Sequence, residues 1–357
     1  MTTIPQGIDR TSVQSWFERH VAGSRPPLHF ELIAGGFSNL TYRVEDIMGT
    51  KYALRRPPIG FKPQLGAHNV LREYRILAAL KDSDVPVPPV LASCSDEAVT
   101  GAPFYVMQWL EGRILDRSQH VAEILPNHAT RRKAAFSVVD TLAKLHRVDP
   151  DAVGLGNLGM REDYLERQIE RTAKVWEKTK TRELEIIDSL QRDLIKLRPT
   201  QAYTGIVHGD FRPGNIMLAP DGQVSAVLDW ELCGLGDLLV DISYLLTNWD
   251  EPEDPWPDVW MVRAPSRAGG FPTRDELLAR YTEQTGFDVQ HIEYYCAFCY
   301  WRIAVIAEGV KRRYETGRMS GQQVDIEALD LRVRQRAEMS RRYLDRASAA
   351  ASTRLSN

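Results

Sequence analysis

His208-Gly209-Asp210-Phe211-Arg212-Pro213-Gly214-Asn215 leads into a short apolar stretch, and thirteen residues separate Asn215 from Asp229 at the end of a second one. The turn at Pro213-Gly214 lets one short loop aim Asp210 and Asn215 at a single point. Short strands at 205–207, 216–218 and 224–228 are expected to flank that loop and to deliver Asp229 beside it. One carboxylate to orient a hydroxyl and two hard oxygen ligands for Mg²⁺ form the minimal protein set for moving a phosphoryl group. A single Asp is equally a turn former or a helix cap. The spacing of all three residues is what points to chemistry.

At 357 residues the chain exceeds the usual size of one compact domain, so two lobes are expected. An apolar content of 43% with 26% charged residues is that of a soluble globular protein, and a net charge of −3 argues against a general nucleic-acid surface. Four cysteines in so long a chain make no disulfide framework, and the N-terminus lacks the basic and apolar regions of a signal peptide. A cytoplasmic protein with no membrane association is the expectation. Cys296 and Cys299 have the spacing of half a zinc site, but no second pair follows, and they lie in an aromatic run that reads as buried helix packing.

The order of parts supports an α+β class. A helix is expected at 11–22, strands at 29–33, 40–45 and 51–55, a helix at 70–80, and strands at 90–94 and 103–109. This is a small antiparallel sheet with one main helix on it. Beyond Gly112 the signals turn mainly helical. The stretch 131–147 has apolar residues at i, i+3, i+4 spacing, and 163–197 is long, charged and largely helical. Further helices are expected at 273–284, 292–314 and 325–346, with 347–357 frayed. The expected division is an N-terminal lobe at 1–106, a hinge at 107–112 and a helical C-terminal lobe at 113–357.

The 208–215 segment resembles the catalytic loop of the aminoglycoside phosphotransferase family, relatives of choline kinases and, more distantly, of protein kinases. The likeness covers nearly the whole chain. It implies a bilobal protein-kinase-like fold, ATP and Mg²⁺ as cofactors, and a small-molecule hydroxyl as acceptor. Asp210 would be the acceptor-orienting base, with Asn215 and Asp229 as metal ligands. Gly35, Gly36, Phe37, Ser38 and Asn39 resemble the phosphate-covering loop; the glycines allow close backbone approach, and Ser38 and Asn39 add donors. Tyr52-Ala53-Leu54-Arg55 resembles the strand bearing the phosphate-pairing cation. Alternation puts Ala53 and Arg55 on one face, so a small residue can roof the base while the guanidinium reaches the phosphates. Glu73 would partner Arg55. Gln108, Trp109 and Leu110 would read adenine through main-chain groups, and Gly236, Asp237 and Asp241 would brace the catalytic loop. His208 is expected to hold the loop rather than act as a base.

Three features depart from protein kinases or bear on the transfer itself. Arg55 stands where protein kinases carry Lys, which keeps the charge but makes it a fork. Asp229-Trp230-Glu231 lacks the glycine after the metal-binding Asp, and only seven residues separate Asp229 from Asp237, leaving no room for an activation segment. That argues against a protein substrate. Arg212 is open to two readings, a stabiliser of the transferred phosphoryl group or a surface loop residue.

The acceptor is less legible. Trp249 to Asp258 is acidic and aromatic, which suits a polyamine through charge and cation–π contact or, equally, a solvated loop anchored by Trp. Arg263, Arg267 and Arg274 follow and would suit an anionic acceptor. Segments 52–58, 67–74 and 101–107 resemble the kinase-like domain fused to acyl-CoA dehydrogenases, a branch linked to hydroxyacyl-CoA phosphorylation. Aminoglycoside and hydroxyacyl-CoA acceptors both stay open, as does a catalytically silent nucleotide-binding protein.

Overall fold

The computed structural model describes residues 5–34, 39–60, 69–116, 118–254, 264–317 and 325–355. Gly35, Gly36, Phe37 and Ser38 of the expected phosphate loop lie outside these residues, as do Trp256, Pro257, Asp258 and Arg263.

The N-terminal third runs α1 (Arg10–His20), β1 (His29–Ala34), β2 (Leu40–Glu45), β3 (Lys51–Arg56), α2 (Val70–Leu80), β4 (Val90–Cys94) and β5 (Phe104–Gln108). The five strands form one antiparallel sheet in the order β1-β2-β3-β5-β4. Strand alternation divides its faces. Tyr42, Val44, Leu54, Phe104 and Val106 pack with Val13, Trp16 and Phe17 of α1 in one core. Val70, Ile76, Leu77 and Leu80 of α2 join Tyr105 in the larger core that continues into the rest of the molecule. Asn69 caps α2 by accepting from the Arg72 N–H at 3.0 Å, which fixes the start of this helix.

The remainder is mainly helical: β6 (Arg113–Ile114), α3 (Val121–Ile124), α4 (His128–Arg147), α5 (Tyr164–Thr179), α6 (Glu185–Lys196), β7 (Thr204–Val207), β8 (Ile216–Leu218), β9 (Val224–Val227), β10 (Gly234–Asp237), α7 (Leu239–Thr247), α8 (Arg274–Thr285), α9 (Ile292–Glu315) and α10 (Ile326–Leu355). Two small antiparallel sheets, β6-β8-β9 and β10-β7, hold the loop between β7 and β8. Capping boxes, Asn127 with Thr130 and Thr273 with Glu276, start α4 and α8. Cys296 and Cys299 are buried on α9, as their aromatic surroundings imply, and all four cysteines are free. No helix among the described residues is long and apolar enough to cross a membrane.

The 163–197 stretch resolves into two helices, broken between Thr179 and Glu185, where Thr181 turns to donate to Glu308 of α9. The tail needs correction. It does not fray at Ala347; α10 continues to Leu355 through a stretch rich in alanine, the residue with the highest helix propensity.

Contacts between α2 and the helical part set the position of that helix. Arg72 donates to the carbonyls of Cys233 and Leu158, and Arg75 donates to the Gly154 carbonyl at 2.9 Å. Glu73 lies between these two arginines in sequence, yet it is buried where they reach outward. Its place is thereby fixed by bonds on either side.

Candidate active site

The loop after β7 is held from below by one buried carboxylate. Asp241, at the start of α7, accepts from the N–H of His208 at 2.6 Å and of Gly209 at 2.9 Å. His146 Nε2 of α4 lies 3.5 Å from the same carboxylate, and its Nδ1 is 2.6 Å from the Tyr281 hydroxyl of α8. Gly209 has φ +83°, and a Cβ there would meet the Leu232 carbonyl oxygen at 2.8 Å, so only glycine fits this turn. The His208 imidazole is fully buried: Nε2–H donates to the Leu228 carbonyl at 3.0 Å, and Nδ1 accepts from the Asp210 N–H at 3.2 Å. Both ring nitrogens are engaged within the loop's own scaffold.

That scaffold presents Asp210. Asn215 Nδ2 donates to the Asp210 main-chain carbonyl at 2.9 Å and to its carboxylate at 2.6 Å. Arg212 Nε sits 3.3 Å from both carboxylate oxygens. Arg302 of α9 donates to the Gly209 carbonyl at 3.0 Å and lies over the Tyr244 ring at 5.5 Å, while Tyr244 in turn borders Asp210. Burial, then the Asp210 charge, holds the Tyr244 hydroxyl protonated well beyond its ordinary range.

Asp229 follows β9 with φ +66°, a left-handed conformation that Asp tolerates better than most residues. The Leu228 N–H donates to the Asn215 carbonyl at 2.8 Å, and the Trp230 N–H donates to Glu73 at 3.2 Å. These two bonds flank Asp229 and hold the uncommon geometry. Arg55 of β3 spans the carboxylates: Nε lies 3.1 Å from Glu73 Oε2 and Nη2 lies 2.5 Å from Asp229 Oδ1. The fork reaches two carboxylates at once, which a single ammonium could not do with the same planarity. Burial pushes the Glu73 carboxyl up to about 7 against the pull of Arg55, and the flanking carboxylates hold the guanidinium protonated.

A cavity of about 470 Å³ runs between the sheet and the helical part. Its lining combines apolar Ile33, Ala53, Met107, Met217 and Leu228 with polar and charged Arg55, Asn215 and Asp229. Asn39, Glu73, Gln108, Trp109 and Leu110 line it as well. Asp210 and Arg212 stand just beyond, joined to it through Asn215. Among the described residues, then, the expected site residues line this cleft, apart from Asp210 and Arg212, which stand beside it.

Some chemistry-bearing neighbours carry no signal in the sequence: His146, Tyr244, Tyr281 and Arg302 lie far from the loop in the chain or on ordinary helical patterns. Conversely, the described part of the acidic-aromatic stretch serves structure. Trp249 is buried, and its Nε1–H donates to the Pro272 carbonyl at 2.9 Å; Arg274 pairs with Glu251 and Asp254.

The sequence profile described as the phosphotransferase enzyme family (APH) matches residues 29–287. Acyl-CoA dehydrogenase family member 10 of Mus musculus is 32% identical over 322 residues, covering 89% of this chain but only 29% of its own length. The chain thus spans about a third of the length of such relatives. A crystal structure from Ralstonia eutropha JMP134, described as a candidate aminoglycoside phosphotransferase, superposes with TM-score 0.79 at 32% identity, covering 95% of this chain and 98% of that one. Amicoumacin kinase in complex with AMP-PNP, Ca²⁺ and Ami shares the fold at TM-score 0.60 and 16% identity, covering 94% of each chain. With most of its length matched by the family profile, the chain belongs to the phosphotransferase enzyme family.

Proposed function

We propose that the protein transfers the γ-phosphoryl group of ATP, with Mg²⁺, to a hydroxyl of a small molecule. The observation that carries this reading is the convergence of Arg55, Asn215 and Asp229 in the lining of one cleft, with Asp210 hydrogen-bonded to Asn215 beside it. Apolar side chains line the same cleft. A nucleoside triphosphate presents both kinds of surface, a flat base and anionic oxygens. Asn215 and Asp229 fit Mg²⁺, which takes one or two protein oxygens and completes its shell with phosphates and water. When bound, the ion would neutralise charge on the phosphates.

The protein's own residues would do the rest. Residues 107–112 would join the lobes 1–106 and 113–357. Gln108 and Trp109 direct their N–H groups to the carbonyls of Pro89 and Lys51, so we assign the adenine-facing donor to Leu110. Arg55, held by Glu73, would pair with phosphate oxygens. Asp210 would accept a hydrogen bond from the acceptor hydroxyl and take its proton. The acceptor oxygen bonds to the γ-phosphorus as the bond from that phosphorus to the ADP oxygen breaks. Arg212, beside Asp210, would meet charge on the transferred group. A hydroxyacyl-CoA acceptor fits relatives named for acyl-CoA chemistry, and an aminoglycoside fits the Ralstonia neighbour.

Asp229→Ala tests the metal role. ATP affinity of the wild type is expected to rise with Mg²⁺, and that increment should fall at least about tenfold in the variant, the size of one lost charge-assisted ligand. Mg²⁺-dependent ATP binding that is the same in both proteins would exclude Asp229 as a ligand.

A further inference from the structure

The turn before Asp210 needs glycine, and glycine brings conformational freedom with it. Gly209 holds φ at +83°, where a Cβ would meet the Leu232 carbonyl oxygen. Without a side chain its ψ is weakly restrained, so the peptide joining Gly209 to Asp210 can turn unless its polar groups are held. Both are held. The Asp210 N–H donates to His208 Nδ1 at 3.2 Å, and the Gly209 carbonyl accepts from Arg302 Nη2 at 3.0 Å. The first partner is a loop residue. The second comes from α9, 93 residues further along the chain, and ties this peptide to the helical part.

α9 is itself fixed where that tie is made. Tyr295, Cys299 and Arg302 are spaced i, i+4, i+7 and share one face of the helix. Tyr295 donates its hydroxyl proton to Asp237 Oδ2 at 2.6 Å, and Cys299 Sγ lies 3.7 Å from the Val240 carbonyl. Arg302 continues the same face as a half-buried cation, although Trp301, Ile303, Ala304 and Val305 around it are buried. Holding a guanidinium in such surroundings costs desolvation, so its contacts must matter. One is the Gly209 carbonyl. Another is the ring of Tyr244, 8% exposed, whose centroid lies 5.5 Å from the guanidinium carbon. Tyr244 also borders Asp210. Arg302 thus reaches Asp210 by two routes, through the carbonyl before it and through the phenol beside it.

We infer that Arg302 is a positioning residue for phosphoryl transfer: by holding the Gly209 carbonyl and the Tyr244 ring, it fixes the direction in which Asp210 faces the acceptor hydroxyl. The word acceptor rests on the kinase reading, whereas the hold on the loop stands on the hydrogen bond and the ring contact alone. Losing Arg302 changes how the carboxylate is aimed and leaves the nucleotide contacts in place. Lys could reach the carbonyl as a single donor but would lack the planar fork that serves carbonyl and ring together.

Hydrogen–deuterium exchange of the full chain, read by mass spectrometry without nucleotide or acceptor, tests the hold directly. In Arg302→Met the segment His208–Asn215 should exchange about tenfold faster, the scale of one lost bond from a charged donor, while α7 and α9 keep wild-type rates. Arg302→Lys should fall between the two, and it keeps the test sound if Arg302→Met does not fold. Loop exchange at the wild-type rate in both variants would overturn the inference; faster exchange spread over α7 and α9 would assign Arg302 a general structural role and overturn it too. Kinetics supply the second readout. With an acceptor that supports turnover, kcat should fall about 10²-fold in Arg302→Met at nearly unchanged KM for MgATP. The same substitution added to Asp210→Asn should cost at most about threefold, because a residue that acts through Asp210 has no carboxylate left to aim. Equal losses in the two backgrounds would overturn the inference. A wild type with no turnover would count against the kinase reading, and the exchange result would then decide the role of Arg302.

Discussion

Asp210→Asn is expected to lower acceptor-dependent ADP release by about 10²–10⁴-fold, the range for removing a positioned general base. MgATP affinity should stay within about threefold, because the substitution removes an interaction made in the transition state rather than one that binds nucleotide. The geometry supports that separation. Asp210 lies outside the nucleotide-sized cleft, whereas Asn215 and Asp229 line it. Asn keeps the size of the side chain and the main-chain bonds to His208 and Asn215, so the loop retains its shape. What it loses is the charge that meets Arg212 and one oxygen that can take a proton. Steady-state kinetics of the purified variant would check this; turnover equal to the wild type would remove Asp210 from the reaction.

A second large effect concerns stability. Asp241→Ala would strand the buried N–H groups of His208 and Gly209, each costing about 1–3 kcal/mol, for a total of roughly 2–6 kcal/mol. The same change would leave His146 facing an empty space where its carboxylate neighbour had been. Chemical denaturation should show the loss in the midpoint with little change in slope, since the buried surface is nearly the same. The loop would also lose its anchor, so activity should fall even in protein that remains folded. A stability loss below about 1 kcal/mol would mean that the two N–H groups find other partners.

The N-terminal sheet is legible in the sequence because its residues obey local rules. β2, α2 and β4 have the bounds expected from alternation, helical spacing and the Pro86–Pro89 stop. The loop from His208 to Asn215 is legible for another reason: its chemistry depends on residue type at fixed short spacing, which a sequence displays directly. Elements that exist only through tertiary pairing are not. β10 is Gly-Leu-Gly-Asp, with no β propensity of its own, and becomes a strand by pairing with Thr204–Val207. α7 is buried throughout, so it shows no amphipathic period to identify it. The break between α5 and α6 lacks Gly or Pro, and a buried Glu308 on another helix provides the partner that turns the chain there.

Side chains that meet the loop from afar follow the same logic. His146 and Tyr281 sit in the periodic patterns of α4 and α8, where a buried polar residue looks like any other position. The arginines of α10 read as a charged, solvated face. Only the packing of that helix against α9 and the end of α7 shows that two of them turn inward to the catalytic loop.

The most direct measurement is phosphorus NMR of the wild type with MgATP and a panel of hydroxyacyl-CoAs, hydroxy acids and aminoglycosides. A new phosphomonoester resonance is expected with one acceptor class, growing in step with ADP and absent with Asp210→Asn. MgATP that binds in the cleft yet yields no phosphomonoester with any of these acceptors would contradict phosphoryl transfer and favour a nucleotide-binding protein without transfer activity.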